Sequence, residues 1–435
     1  MNVFVTTFKR KNQEFISKFR SGNLRTKAQL LWRTTFFALC YVPLLLLAVV
    51  LVPIVVVLAK VLESVIKVRI GKLTDDRIGH LAFDTDLYLR RQRMGRKVWK
   101  EYYILLSEQV ANQQLLTMIK RQACVLRKPL FLKLYKAAYA WMPRAGIWAD
   151  LPCDYNAFEE HRRVPPQFYF TAQEEARGKQ QLSALKIGEN DPFVCIHARD
   201  KSYLQLNKEG QSWSRHDYRD GDILSCLSAA NYLAARGIFV LRMGHTVEQA
   251  FQAADEKIVD YASKYRSDFM DVYLSGNCKF FLGDTAGLHC VALALGVPVA
   301  AVNWIPLRYA LPRQGDIFIP KKLWDIKEKR FLTFTKIITS GIDGWLSSEQ
   351  YVKAGIEIVN NTADEILALT KEMNARLDRT WITTPEDEEL QQRYHSLFPK
   401  GHYSYGFPSR IGTEFLRHNQ ELLGERTRET ISVHS

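Results

Sequence analysis

His197, Arg199 and Asp200 stand directly after the run Phe193-Val-Cys-Ile196, and their chemical types set the first question to ask of this chain. Four apolar residues rich in β-branching read as a buried strand that Pro192 opens. In open α/β sheets, ligands gather where strands end and helices begin. An imidazole, a guanidinium and a carboxylate delivered together at such an end can grip an anion and move a proton. Phosphate is the anion that fits best. Plainer roles exist for each: His197 can bond a neighbouring loop, and Arg199 and Asp200 can pair with each other.

The same placement recurs. Phe281-Leu-Gly283-Asp284-Thr285-Ala-Gly287-Leu-His289 leads a strand through two glycines into a helix. Glycine admits close backbone approach, and free N–H groups at a helix start favour anions. Thr285 adds a hydroxyl donor. Asp284 would repel a diphosphate and suits a helix cap or a sugar hydroxyl better. His216-Asp217-Tyr-Arg219-Asp220-Gly-Asp222 precedes the helix expected from Ile223. Capping that helix needs one residue, which Asp222 supplies, whereas the cluster holds five ionisable groups. Arg219 is therefore a candidate substrate contact, and Asp217 or Asp220 a candidate base. Arg242-Met-Gly244-His245 ends a strand at 238–242. Asn303-Trp304 ends another at 297–302, with Trp304 placed to stack on a ring. Structural polar residues have no need to collect on one edge of a sheet.

The elements that must position these residues alternate along the chain. Strands at 193–196, 238–242, 278–282 and 297–302 are separated by helical stretches at 223–235, 268–274 and 287–295, and Gly237 and Gly296 stop two of the helices. This rhythm predicts a parallel sheet. Earlier, 62–70 and 102–106 read as strands, Arg77-Ile-Gly-His80-Leu opens a helix, and 110–139 is helical in pattern. Gly188-Glu-Asn-Asp-Pro192 reads as a linker between domains. Later, 356–359 reads as a strand, and Thr362-Ala-Asp-Glu365 is a capping box that starts a helix over 363–377.

Charge is divided unevenly. Residues 1–150 hold 26 Lys and Arg against 9 Asp and Glu, while the remainder holds 34 against 37. Such a basic third could face nucleic acid, but it also contains Thr34–Ala59, 26 residues without a charge. As a helix that segment would reach about 39 Å, beyond the ~30 Å of bilayer hydrocarbon. An anionic membrane is the expected partner, and nucleic acid is not. Both flanks are basic, and Pro43 and Pro53 can bend the segment so that both flanks stay on the cytoplasmic face. Seven scattered cysteines without a C-x-x-C pair read as reduced thiols of a cytosolic compartment.

Phe193-Val-Cys-Ile-His-Ala-Arg-Asp200, His216-Asp-Tyr-Arg-Asp220 and Leu241-Arg-Met-Gly244, with Arg77-Ile-Gly-His-Leu81 early and Arg410-Ile-Gly-Thr-Glu-Phe-Leu416 late, resemble a bacterial glycosyltransferase family over roughly residues 65–425. The His-x-Arg element is also similar to that of fucosyltransferases, although the doubled arginine common in those enzymes is missing here. The resemblance implies a GT-B fold of two Rossmann-like domains and transfer of a sugar from a nucleotide-diphosphate sugar to a hydroxyl of a surface glycan or lipid-linked acceptor. Arg199, Arg219, Arg242, Gly283, Asp284, Thr285, Gly287, His289 and Asn303 would hold the donor, Arg77 and His80 the acceptor, and Asp200, Asp217 and His197 would serve the proton transfer. It implies no metal and no cofactor beyond the nucleotide sugar as co-substrate. Asp84-Thr-Asp86 is formally an Asp-x-Asp metal motif, but no strand tip clearly precedes it.

The expected organisation is a basic cytoplasmic N-terminus at 1–33, a membrane segment at 34–59, and an acceptor-side α/β domain at 60–190. A donor-binding α/β domain at 191–362 and C-terminal helices and tail at 363–435 complete it. The catalytic part would lie on the cytoplasmic face of a bacterial inner membrane, where nucleotide sugars and lipid-linked acceptors are found. Pyruvyl transfer onto polysaccharide, or an inactive scaffold anchored to the membrane, are the rival readings.

Overall fold

The computed structural model describes residues 53–63, 66–94, 100–107, 110–127, 129–141, 146–149, 151, 154–199, 214–245, 250–251 and 253–424, with isolated positions 27, 32, 43, 46, 50 and 51. The chain divides into two compact units. The smaller draws on 1–72, 98–108 and 123–150, the larger on 73–97, 109–122 and 151–435. Each carries a parallel sheet flanked by helices, as the βα rhythm predicts.

In the smaller unit, β1 (Ile66–Lys72), β2 (Lys100–Leu106), β3 (Cys124–Leu126) and β4 (Trp148–Ala149) form a four-stranded sheet in the order β3-β2-β1-β4. Every pair is parallel. The helix Pro129–Trp141 sets Tyr135 and Tyr139 edge-on to Trp148, with ring centroids 5.6 and 5.7 Å apart. The helical pattern expected over 110–139 is thus two helices with a strand between them. Helix Gln113–Lys120 ends first, Cys124–Leu126 joins the edge of β2, and Pro129 starts the next helix at a position where its missing N–H costs nothing.

The larger unit is built on seven parallel strands: β5 (Phe193–His197), β6 (Phe239–Arg242), β7 (Ile258–Val259), β8 (Phe281–Gly283), β9 (Val299–Trp304), β10 (Ile317–Pro320) and β14 (Arg410–Ile411). Their order is β14-β10-β9-β8-β5-β6-β7. From β5 the chain winds one way through β6 and β7, then returns to β5's other side at β8 and winds outward. This is a doubly wound sheet whose order reverses between β5 and β8. Val194, Cys195, Ile196, Phe281, Leu282, Val299, Ala300 and Ala301 have no exposed surface, because helices cover both faces of a parallel sheet and its strands become continuous apolar runs. A small antiparallel sheet, β12-β11-β13, uses Lys322–Asp325 (β11), Arg330–Phe331 (β12) and Ile356–Val359 (β13).

Local sequence signals explain where several helices begin and end. Thr362 and Glu365 form the expected reciprocal capping box for helix Ala363–Leu377, and Gly237 and Gly296 adopt φ of 78° and 85° just past two helices, a conformation that favours glycine. The Gly188–Pro192 stretch is a turn inside the larger unit, not a linker. The helix before it, Ala172–Ala184, is seated on the sheet's own cover, with Gly178 flat against the ring of Tyr273. The chain's late residues close the opposite edge: β14 pairs with β10, and the Tyr403 hydroxyl donates to Asp154 at 2.7 Å while accepting from the Tyr155 N–H.

The boundary expected at 190/191 does not separate the units. Helix Ile78–Met94 belongs to the larger one, because Gly79 meets Gly287 backbone to backbone. A Cβ on Gly79 would lie 2.9 Å from Gly287 Cα, and one on Gly287 would lie 2.8 Å from Ile78 Cγ2. Most of the expected membrane segment lies outside the described residues. Of its described end, 53–62 is helical with Ile54, Val55, Val57, Leu58, Val61 and Leu62 exposed. Among the described residues no helix is long and apolar enough to cross a membrane.

Candidate functional site

The register of the larger sheet pairs His197 with Gly283, so the two most informative sequence clusters leave the sheet side by side at the point where strand order reverses. In doubly wound sheets that crevice is where ligands bind. Gly283 is required there: a Cβ would lie 2.8 Å from the carbonyl oxygen of His197.

Asp284 organises the residues beyond these two strand tips. Its carboxylate is buried at 1% exposure. Oδ2 accepts the backbone N–H of Arg199 at 2.5 Å, and Oδ1 faces His197 Nδ1 at 3.5 Å. Neither of these two facing atoms has a hydrogen-bond partner among the described residues, so the imidazole and the carboxylate meet only by proximity. Asp284 is thus a neighbour of His197, and the expected donor contact gives way to this role.

Arg199 is held from three directions. Its guanidinium donates to the His216 carbonyl at 2.9 Å and to the Asp220 carboxylate, and its carbonyl accepts the Gly221 N–H at 3.2 Å. Burial lowers its affinity for a proton below that of an ordinary guanidinium, opposed by Asp220, yet arginine stays charged at any working pH. The 3-10 turn Ser214–Arg219 and the residues after it lie across the strand ends. A Cβ on Gly221 would stand 2.8 Å from Asp284 and 3.4 Å from Asn303. Arg219 lies over the Tyr218 ring at 5.5 Å, and its Nε has no hydrogen-bond partner among the described residues.

His216 reads out the local field. Burial, and then the positive charges of Arg219, Arg199, Arg77 and Arg215, push its pKa down to about 4. Four guanidinium groups therefore act on one spot, and Arg77, at the start of helix Ile78–Met94, is among them. His80, one turn along, places Nδ1 3.0 Å from the buried Asp84. Arg77 thus joins the cluster from within the same unit, and His80 lies in that unit too, not in a separate acceptor domain. Asp217 is exposed, and its charge reaches Arg199. Asp200 lies outside the described residues.

Several expected contacts turn out to be structural. Arg242 is buried, with its guanidinium 3.2 Å from Asp260. His289 accepts the Ala286 N–H on Nδ1 at 3.2 Å, stands edge-on to Trp304, and is kept neutral by burial, with a pKa pushed down to about 4. It caps its helix. Asn303, at φ 50°, exchanges side-chain and backbone hydrogen bonds with Asn361 at 2.5 and 2.7 Å. Trp304 is buried, its indole N–H donating to the Tyr309 carbonyl at 2.7 Å, so it has no face free for stacking. Thr285 Oγ1 accepts the Ile305 N–H at 3.2 Å. Gly287 serves the helix contact with Gly79. Asp86 of the Asp-x-Asp motif is fully buried against Arg90 at 2.6 Å, and burial lifts its carboxyl to about 6. Among the described residues no group of three or more His, Cys, Asp or Glu side chains is placed to hold a metal ion.

Sequence reasoning missed Lys321. The residue is 5% exposed, and its ammonium donates to the carbonyls of Tyr218 at 3.0 Å and Asp220 at 2.7 Å. The signal was available, since Ile317-Phe-Ile-Pro-Lys321 is another apolar run ending in a cation.

No family model matches the chain, and no curated protein matches it. Among solved structures it is similar to a glycosyl transferase family 9 protein from Veillonella parvula DSM 2008, at 11% identity over 69% of this chain and 97% of that one, with TM-score 0.37. It is also similar to E. coli ADP-heptose LPS heptosyltransferase II, at 15% identity over 54% and 84%, with TM-score 0.29. A third is E. coli heptosyltransferase WaaC with ADP, at 12% identity over 66% and 99%, with TM-score 0.26.

Proposed function

We propose that this chain is a glycosyltransferase of GT-B type that moves a sugar from a nucleotide-diphosphate sugar to a hydroxyl of a glycan or lipid-linked acceptor, at the cytoplasmic face of a bacterial inner membrane. The observation that carries this reading is the meeting of Arg199 and Arg219 with the His197–Asp284 pair where strand order reverses. As the acceptor oxygen attacks the anomeric carbon, the bond from that carbon to the diphosphate breaks and negative charge builds on the leaving phosphates. Arg199 and Arg219 meet that charge, with Arg77 nearby, which is stabilisation where charge develops. The acceptor proton passes to His197, and Asp284 supports the imidazolium. Asp217 lies close enough for its charge to reach Arg199 and is the rival base. The reaction so written uses the nucleotide sugar as co-substrate and no further cofactor.

Thermal unfolding of the full chain against a panel of nucleotide sugars tests the donor assignment. A ligand that binds only the folded state raises the midpoint, so at least one nucleotide sugar will raise it well above the effect of phosphoenolpyruvate. A panel without effect, or a shift by phosphoenolpyruvate alone, would favour the pyruvyl-transfer alternative or an inactive scaffold.

Membrane association is supported by the exposed apolar side chains at 53–62 and the basic N-terminal third. The chain will float with vesicles rich in anionic lipid, and less so at high salt, because screening weakens the basic contribution. Recovery in the unbound fraction with both lipid compositions would remove this part of the reading.

A further inference from the structure

Lys321 stands at the step from β10 to β11, and almost none of its surface reaches solvent. Burying an ammonium is costly unless its donors are used. Two of them are used on the backbone carbonyls of Tyr218 and Asp220, which bracket Arg219. Asp220 in turn holds the guanidinium of Arg199. The polypeptide that carries the anion-gripping side chains is therefore fastened to the sheet by one buried cation. Ser348 pins the preceding turn independently, accepting from the Tyr218 N–H at 3.0 Å and donating to the Arg215 carbonyl at 3.2 Å.

We propose that Lys321 is a positioning residue of the anion site: it ties the 218–220 backbone to the sheet edge and so keeps Arg219 and, through Asp220, Arg199 set for a diphosphate. The proposal rests on the reading of that site as a phosphate pocket. Lys321 also adds a positive charge within reach of Asp220 and Asp284, so that these carboxylates cancel less of the arginines' field.

Charged and titratable groups face this ammonium from each neighbouring element. They are Asp220 on the crossing segment, Asp284 after β8 and Arg199 after β5; Asp343, itself paired with Arg308 and His402, lines with Lys321, Trp304 and Tyr351 a cavity of about 10 Å³. Burial pushes the ammonium down to about 8, against the pull of Asp284 and Asp220. Raising the pH through that value removes the charge.

Calorimetric titration of the full chain with inorganic pyrophosphate, between about pH 6.5 and about pH 9.5, tests this. Wild-type affinity will fall by about tenfold, because the neutral amine keeps two N–H donors but loses the charge that strengthens both bonds and offsets the nearby carboxylates, with a midpoint near 8. Pyrophosphate itself gains charge over this interval, so ordinary attraction would move the affinity the other way. Lys321→Met will bind about tenfold more weakly at neutral pH and show no alkaline step. A folded Lys321→Met with wild-type affinity, or one that keeps the step, overturns the proposal. Should that variant not fold, the wild-type profile decides alone, and a flat one overturns it. Absence of pyrophosphate binding by the wild type at every pH overturns the phosphate-pocket reading and this proposal with it, whereas binding without a step overturns only the proposal.

Discussion

Arg199→Ala will lower nucleoside-diphosphate release from the preferred nucleotide sugar by at least about a hundredfold, which corresponds to roughly 3 kcal/mol of barrier. Its side chain grips the His216 carbonyl and Asp220, whereas its contact with Asp284 runs through the backbone. Alanine keeps that backbone bond, so the strand end stays in place while the cation disappears. The loss should appear in kcat as well as kcat/KM, because the guanidinium acts most strongly on charge that exists only as the diphosphate leaves. Asp220→Asn separates positioning from charge, since it loosens the guanidinium without removing it and should cost less. A kcat within a factor of about three of wild type in Arg199→Ala would take this residue out of its assigned role.

Gly79→Val will destabilise the chain by about 2–3 kcal/mol, the range for forcing extra carbon into a filled space. A Cβ at this position would meet Gly287 Cα at 2.9 Å and its carbonyl oxygen at 3.2 Å. Both neighbours are backbone, so no side chain can rotate out of the way. The helix must therefore lift from helix Gly287–Ala294, taking Arg77 and His80 with it. Thermal unfolding measures the cost, and pyrophosphate titration measures the displacement of Arg77. Gly315→Ala is the control: nothing lies within 4 Å of the added carbon there, and a change below about 0.5 kcal/mol is expected. Equal unfolding midpoints for Gly79→Val and wild type would mean that the two helices do not meet through these glycines.

Much of the frame was legible because its signals are local. Apolar runs ending in Gly or a polar residue marked β5, β6, β8 and β9, and Thr362 with Glu365 marked a helix start to the residue. The strand-end rule also singled out Arg199, His197 and Asp284, and the polar cluster before Ile223 singled out Arg219; the structure brings these residues together. The rule could not say which strand-end side chains turn inward. Arg242, Asn303 and Trp304 stand where a ligand contact was expected, but partners far along the chain claim them: Asp260 for Arg242, Asn361 for Asn303, and the Tyr309 carbonyl for Trp304. Lys321 also ends an apolar run, but its role was not legible there, since its partners lie about a hundred residues earlier. The assignment of helix Ile78–Met94 to the larger unit also depends on a distant event, the contact of Gly79 with Gly287. Nothing in the spacing of residues 60–190 announces that contact.

The sheet of the larger unit is finished by some of the last described residues. Until Arg410 and Ile411 leave the ribosome, Ile317-Phe-Ile has its outer row of amides and carbonyls uncovered, and such apolar edges invite pairing with other chains. Tyr403 reaches back to Asp154 and Tyr155 equally late. Synthesis from the amino end therefore leaves a sticky, incomplete edge while the chain between β10 and β14 is being made. A nascent chain stalled before residue 400 should be a better chaperone client than the released protein.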